Sequence, residues 1–487
     1  MESPNIIAWA ALALVGPFAF FAFWRWPPLK AAMIVMFGSA MFLPSNIGFK
    51  APILPDLDKE YLPAAFALVA CIAFKRHALA GSRPFRGPEV LVLVAMLGAV
   101  FTAMTNTDPL VYGPTRIPGE GAYDALNDAV EVFLKWFPPF YLGRALVRRG
   151  DDLEQLIRFL VFCGLVYSLP ILFELRMSPQ LHNWIYGFHQ SEFIQTIRWG
   201  GYRPKVFMRH GLNVALFMTI CCLAAVALYK AKLPLRKFWT PGRAAIFLFV
   251  IVVLCKSTGA YFHLLVLVPL FLFTGPRAQR LVAIGAVLFI LAYPLTRAMD
   301  WIPIDEMIEW MSVNVDEERA RSLWFRFFTE GQILENTRDR LLFGWGGYSR
   351  PFEFDPVTGE MLSVVDGYWT IELGTHGLWG FFCIFGLVLT PIVMAFRAIP
   401  KIADPHDRRL VAMVALLAAL YVFDWLPNSS ISADLTFMVG GLAGGISGIL
   451  REQRRQKLLR RRARAEKGRE RRTSGDKLPA VKAAPAR

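Results

Sequence analysis

Arginine carries the first chemical signal in this sequence. Segment 198–210 holds Arg198, Arg203, Lys205 and Arg209, and Arg209-His210 lead straight into an apolar block. Segment 298–376 holds Arg319, Arg321, Arg326, Arg338, Arg340 and Arg350. A guanidinium grips phosphate oxygens as a two-pronged fork, so a pyrophosphate is a natural partner for the first group. Solvated charge and lipid-headgroup contact are the plainer account of any single arginine. At the mouth of an apolar span, however, arginine needs an anion or a water-filled cavity.

Carboxylates give the second signal. Asp124, Asp128, Glu131 and Lys135 follow at intervals of 4, 3 and 4 residues, which places them on one helical face. That face reads as a wall of a hydrophilic cavity, with a structural Glu131–Lys135 pair as the alternative. Asp366, close to Tyr368 and Trp369, is placed to act as a general base or to orient one. Lys256 lies in a Lys-Ser-Thr-Gly break between two short apolar halves, where Gly259 allows a tight turn; a plain helix–helix turn explains it as well. In FGWGGYSR (343–350), Gly344, Gly346 and Gly347 permit close backbone approach to a ligand, Trp345 and Tyr348 offer ring faces to a sugar, and Arg350 closes the run. An aromatic turn at the membrane interface is the other reading. His182, His189, His210 and His376 are scattered, and no pair has metal-ligand spacing. The six cysteines all lie in apolar blocks, which argues against a disulfide framework.

The elements that must position these residues are membrane helices. Of 487 residues, 55% are hydrophobic and 19% charged, with a mean hydropathy of +0.41. The apolar residues come in long continuous blocks, which excludes a soluble enzyme, a disordered chain and an alternating transmembrane barrel. Thirteen candidate spans can be marked, at 6–24, 31–45, 61–75, 89–105, 126–147, 155–176, 207–229, 242–256, 259–274, 281–297, 377–397, 409–427 and 433–450. The expected fold is therefore all-α and polytopic, with about 12–13 transmembrane helices. Its parts are ten helices over 1–297, a large loop subdomain over 298–376 with helical patterns at 304–312 and 317–334, three helices over 377–450, and a tail over 451–487. The block at 6–24 has no basic region before it and no cleavage motif, so it reads as a retained helix.

Lys and Arg mark every second loop, which puts those loops and the C-terminus in the cytoplasm and the large loop outside. The tail holds 15 Lys or Arg against 4 acids, so +11 of the net +15 resides there. Such a tail suits an anionic lipid surface better than nucleic acid, and no nucleic-acid partner is expected. Residues 451–472 read as a helix and 473–487 as disordered.

The order of these motifs resembles the O-antigen ligase and polymerase superfamily. RWGGYRPKVFMRHGLNVAL (198–216) leads into a span, and KSTGA (256–260) breaks two short helices. Arg321-x-x-Trp324 and LFGWG (342–346) then fall in a large outer loop, and DGYWTIELGTHGLWG (366–380) closes it. The resemblance covers about 190–400. It implies a GT-C-like inverting glycosyltransferase of the bacterial inner membrane that takes undecaprenyl-pyrophosphate-linked glycan and needs no metal or other cofactor. It also implies a periplasmic chain-length co-polymerase as a partner, besides the lipid bilayer. Ligases of this family carry a His-Asn-like pair where this chain has Asp366-Gly367, so polymerisation is expected over ligation. Catalytic roles then fall to Asp366, Arg203, Arg209 and Arg321. Substrate contacts fall to Arg198, His210, Lys256, Trp345, Tyr348, Arg350, Tyr368, Glu131 and Lys135. A transporter or flippase of lipid-linked saccharide is the competing class.

Overall fold

The computed structural model describes residues 3–52, 54–235, 239–314, 316–363 and 365–475. Arg236 and Lys237 of one basic loop, the side chain of Arg319 and the tail beyond residue 475 lie outside the described residues. The molecule is an all-α polytopic membrane protein. Its helices are α1 (Ile6–Ala13), α2 (Val15–Arg25), α3 (Pro28–Phe42), α4 (Leu62–Leu79), α5 (Val90–Thr105), α6 (Ala122–Leu146), α7 (Gly150–Met177), α8 (Leu181–Tyr186), α9 (Gly211–Ala231), α10 (Pro241–Leu254), α11 (Thr258–Phe273), α12 (Pro276–Ala298), α13 (Ile304–Asn314), α14 (Glu317–Arg338), α15 (Tyr368–Ala398), α16 (Pro405–Phe423) and α17 (Ala433–Gly475). All thirteen expected spans fall on these helices.

Among the described residues, seven helical stretches are long and apolar enough to cross a bilayer. They are Ile6–Arg25, α4, α7, α9, α12, Tyr368–Lys401 and Ala433–Arg464, and α3, α5, α10 and α11 are shorter apolar helices. Sequence explains several starts. Asn5, Thr240 and Asp404 accept backbone N–H groups at the first turns of α1, α10 and α16. Proline occupies the first turn of α3, α4, α10, α12 and α16, where its missing N–H costs nothing. The two helices expected within 298–376 are α13 and α14. α17 runs from the bundle into the tail as far as Gly475, slightly beyond the expected helical limit.

α6 and α17 meet along a seam of glycines. A Cβ on Gly440 would lie 2.1 Å from the Phe140 carbonyl oxygen, one on Gly444 2.4 Å from that of Arg144, and one on Gly448 1.7 Å from that of Arg148. Both helices step by four residues, so a small-residue stripe runs down one against the exposed carbonyls of the other.

α15 departs from expectation and is the element that matters most for the site. It begins at Tyr368 rather than 377, and it is broken at Gly377, whose φ is +64°. The break leaves backbone groups unpaired inside the helix, and the LFGWG segment fills it. The N–H groups of Leu378 and Trp379 donate to the carbonyls of Leu341 and Leu342 (2.9 and 3.0 Å), and those of Trp345 and Gly346 donate to Gly374 and Thr375 (2.8 and 2.9 Å). Asn106 and Thr102 of the α5 end hold the carbonyls of Gly344 and Phe343. Of the glycines expected to let a ligand approach, Gly344 instead lets this loop approach α15, where a Cβ would lie 2.4 Å from the Thr375 oxygen, while Gly346 and Gly347 face the carboxylate of Glu120. At Gly377 a Cβ would sit 2.5 Å from the backbone of Leu342, in a region of φ that side chains disfavour. Gly377→Ala should therefore cost about 3 kcal/mol of stability. Thermal unfolding of the purified variant in detergent checks this, against Gly259→Ala, which meets nothing within 4 Å.

Candidate functional site

Segment 197–210 is built by local and remote ties. β1 (Leu110–Tyr112) pairs with β2 (Thr115–Ile117), and β3 (Ile197–Arg198) pairs with β4 (Gly201–Tyr202), the latter hairpin presenting Arg203. Glu174 of α7, a buried carboxylate, accepts the N–H groups of Lys205 and Val206 (2.9 and 2.8 Å) and that of Leu181 (3.2 Å). Arg203 donates to the carbonyl of Lys256 (3.0 Å), and Lys256 Nζ donates to the carbonyl of Arg198 (3.1 Å). Lys256 thus fastens the α10–α11 turn to the hairpin. The left-handed residue of that turn is Lys256 itself, with φ +51°, rather than the expected Gly259. His210 caps α9, its Nδ1 accepting from Leu212 N–H at 3.2 Å. Burial first, then the charge of Arg203, pulls its imidazole down to about 4, so it is a neutral cap rather than a cationic contact.

Arg209 is different. It is exposed, has no protein partner among the described residues, and lines a small polar cavity of about 70 Å³ with Lys59, Glu60, Asn213, Ser430, Ser432 and Asp434. Lys59 Nζ donates to the carbonyl of Phe207 at 2.9 Å. Burial draws both Lys59 and Lys205 down to about 8 from an ordinary value of 10.5. Each binds its proton more weakly folded than unfolded, so stability should rise as pH climbs from about 8 towards 10.5. Unfolding followed across that range should show the rise, lessened in Lys205→Met.

The large loop contributes a different arginine from the one expected. Arg321 is exposed and pairs with Glu317 on its own helix at 3.2 Å. Arg326 pairs with Asp366 at 3.0 Å, and its charge reaches both His210 and Asp424. Asp366 is therefore half-exposed and engaged by a guanidinium, which makes it an anchor for Arg326 rather than a free base. Arg350 is buried and donates to the carbonyls of Trp345, Asp108 and Pro118 (3.0, 3.0 and 2.9 Å). It ties the loop to the α5–α6 connection and offers nothing to a ligand. Trp345 donates its indole N–H to Asn336 and lies beneath the guanidinium of Arg340, so that face is already occupied.

A second cavity, of about 380 Å³, gathers the carboxylates. Asp124, Asp128, Glu131 and Lys135 of α6 all line it, as their spacing predicts, together with Glu120, Tyr348, Tyr368, Glu372 and His376. The Glu131–Lys135 pair does not form among the described residues; Glu131 accepts from Tyr61 at 2.9 Å, and Lys135 lies over the ring of Tyr368 at 5.5 Å. Tyr348 donates to Asp124 at 2.6 Å. Burial pushes up the carboxyl of Glu120, and the N–H of Gly347 partly offsets this.

At the head of this cavity His376 is held between two carboxylates. Nε2 is 3.1 Å from both oxygens of Asp128, and Nδ1 is 3.1 Å from Glu372, whose other oxygen accepts from Tyr368. The next residue is Gly377, so the break in α15 fixes the ring's place. An imidazole so placed can pass a proton from one carboxylate to the other. Sequence reading missed His376, Glu372 and Asp128 as a unit. The i, i+4 spacing of Glu372 and His376 within an expected loop is the signal that could have found them.

Residues 59–61 join the two cavities. Lys59 and Glu60 line the one with Arg209, and Tyr61 reaches Glu131 in the other. Fold and site together define a polytopic helical membrane protein with adjoining polar cavities. No protein-family model matches the chain, and no curated protein matches it.

Proposed function

We propose that this protein is a membrane glycosyltransferase that polymerises undecaprenyl-pyrophosphate-linked glycan at the outer face of a bacterial inner membrane. The supporting observation is the adjacency of an arginine with no partner among the described residues in one cavity and a carboxylate–imidazole–carboxylate chain in the next, with residues 59–61 between them. Arg209, with Lys59 and Asn213 beside it, holds the donor pyrophosphate and stabilises the charge that develops as it leaves. The acceptor hydroxyl enters from the carboxylate cavity and attacks the anomeric carbon from the opposite face. The bond from that carbon to the pyrophosphate oxygen breaks with its electron pair, inverting the centre. The hydroxyl proton passes to Asp128, with His376 and Glu372 behind it. Arg203, Arg198 and Lys256 position the loop, and Arg326 with Asp366 closes it from the large loop. In this reading the C-terminus lies in the cytoplasm, an orientation that the basic alternate loops support. A periplasmic chain-length co-polymerase is the partner this reading calls for, and ligation onto another acceptor is its nearest variant.

One observation favours a second reading. A helix broken at Gly377, beside a histidine between two acids, also suits a proton-coupled transporter of lipid-linked saccharide. The test is purified protein in nanodiscs with one defined undecaprenyl-pyrophosphate oligosaccharide. A ladder of integral repeats by gel and mass spectrometry is expected. Movement of labelled lipid across proteoliposomes without any ladder would move the protein to the transporter class.

A further inference from the structure

At the far end of the α6–α17 seam, Arg148, Arg451 and Arg455 surround a recess of about 210 Å³, completed by Ala80, Gly81, Gly448 and one carboxylate, Glu452. Three separate parts of the chain meet here: the end of α4, the α6–α7 junction and the start of the basic stretch of α17. The close approach of Gly448 brings α17 down onto Arg148. Arg148 is fixed by the carbonyls of Ala145 and Ala80 (2.7 and 2.9 Å). Gln453 fixes α17 in turn, bonding the carbonyl of Lys401 and the N–H of Ala403 (2.9 and 3.1 Å). The arginines are therefore carried on a held frame.

Their charge is poorly answered from within the protein. Glu452 accepts from Gln456 at 3.2 Å and stands 4.0 Å from Arg455. Among the described residues Arg451 has no carboxylate partner, only the carbonyl of Ser447. Burial, and next the charge of Arg451, presses the Arg148 guanidinium below its ordinary value. The height in the membrane is also fixed. α17 is apolar up to Leu450 and basic from Arg451, so the recess lies at headgroup depth. Along α4, before its kink at Lys75, Val69 and Ile72 are exposed on one apolar face.

We infer that this recess binds the phosphate of an anionic phospholipid, whose acyl chains lie along the exposed face of α4. Guanidinium groups match phosphate oxygens in pairs, and an anion here relieves the crowding of like charges. The site is distinct from the cavities assigned to glycan transfer, and it holds whether or not that assignment does.

The test uses the full chain in phosphatidylcholine nanodiscs into which cardiolipin is titrated, with bound lipid counted by native mass spectrometry. Retained cardiolipin is expected, with affinity lowered on the order of tenfold in Arg451→Gln/Arg455→Gln. Arg460→Gln/Arg461→Gln removes the same charge further along the tail and should leave binding unchanged. Equal loss in both pairs would show diffuse attraction to the tail and overturn the site. Inorganic phosphate in place of cardiolipin supplies the headgroup chemistry alone; stabilisation by it, with none by the lipid, would overturn the lipid assignment. Arg148 is left intact because it also supports the fold.

Discussion

Arg209→Ala will lower polymer formation by about a hundredfold or more, while Arg321→Ala leaves it unchanged. The contrast rests on what each guanidinium is doing. Arg321 faces solvent and, among the described residues, pairs only with Glu317 one turn away, an arrangement that contributes little. Arg209 faces a polar cavity, has no protein partner among the described residues, and has Lys59 and Asn213 beside it. Removing one well-placed donor from an anion-stabilising site typically costs two to three orders of magnitude in turnover, ~10²–10³. Arg203→Ala should also reduce activity, but by loosening the loop, since its guanidinium donates to the Lys256 carbonyl. The two mechanisms separate in thermal unfolding: Arg203→Ala should lower the transition, and Arg209→Ala should not. The nanodisc ladder assay reads the activity. Normal product from Arg209→Ala would remove the pyrophosphate seat from this cavity.

His376→Asn and Glu372→Gln should each reduce turnover by about a hundredfold, with little change in donor binding. Glu372→Gln keeps the side-chain size, and His376→Asn keeps a polar amide near the Nδ1 position while giving up the rest of the ring. Each removes one link of the chain Asp128–His376–Glu372, whose contacts are all 3.1 Å. A purely structural role would lower stability and leave the pH dependence of turnover in place. A proton-handling role shifts the alkaline or acidic limb of that profile, and this is the decisive readout. If both variants turn over normally while Arg209→Ala is dead, the hydroxyl is activated elsewhere and Asp366 returns as the first candidate.

The helices were legible because the membrane imposes a coarse rule: a block of roughly 20 apolar residues becomes a helix whatever else surrounds it. The carboxylate face of α6 was legible for a similar reason, since intervals of 4, 3 and 4 allow only one side of a helix. What joins that face to the rest was not. His376 meets Asp128 across 248 positions of sequence, and no local pattern encodes such a pairing. The choice between Arg321 and Arg326 failed on geometry: five residues turn a helix by about 140°, so only one of the two can face the bundle. The glycines of LFGWG did mark close approaches, Gly344 to the backbone of α15 and Gly346 to the carboxylate of Glu120. An open break in a helix exposes both N–H and C=O groups, so it attracts a loop that can donate and accept in turn, whereas a phosphate would engage N–H groups alone.

The glycine seam also constrains biogenesis. α6 leaves the ribosome long before α17, with every helix from α7 to α16 emerging in between. On its own α6 is a poor substrate for membrane insertion, since it carries Asp128, Glu131 and Lys135, and its bare carbonyl ridge has no mate until α17 arrives. The nascent chain must therefore be held at the insertion machinery as an open clam, with its central slot vacant, until a late helix closes it. Chains cut short before Ala433 should be cleared by membrane proteases rather than accumulate as partial bundles.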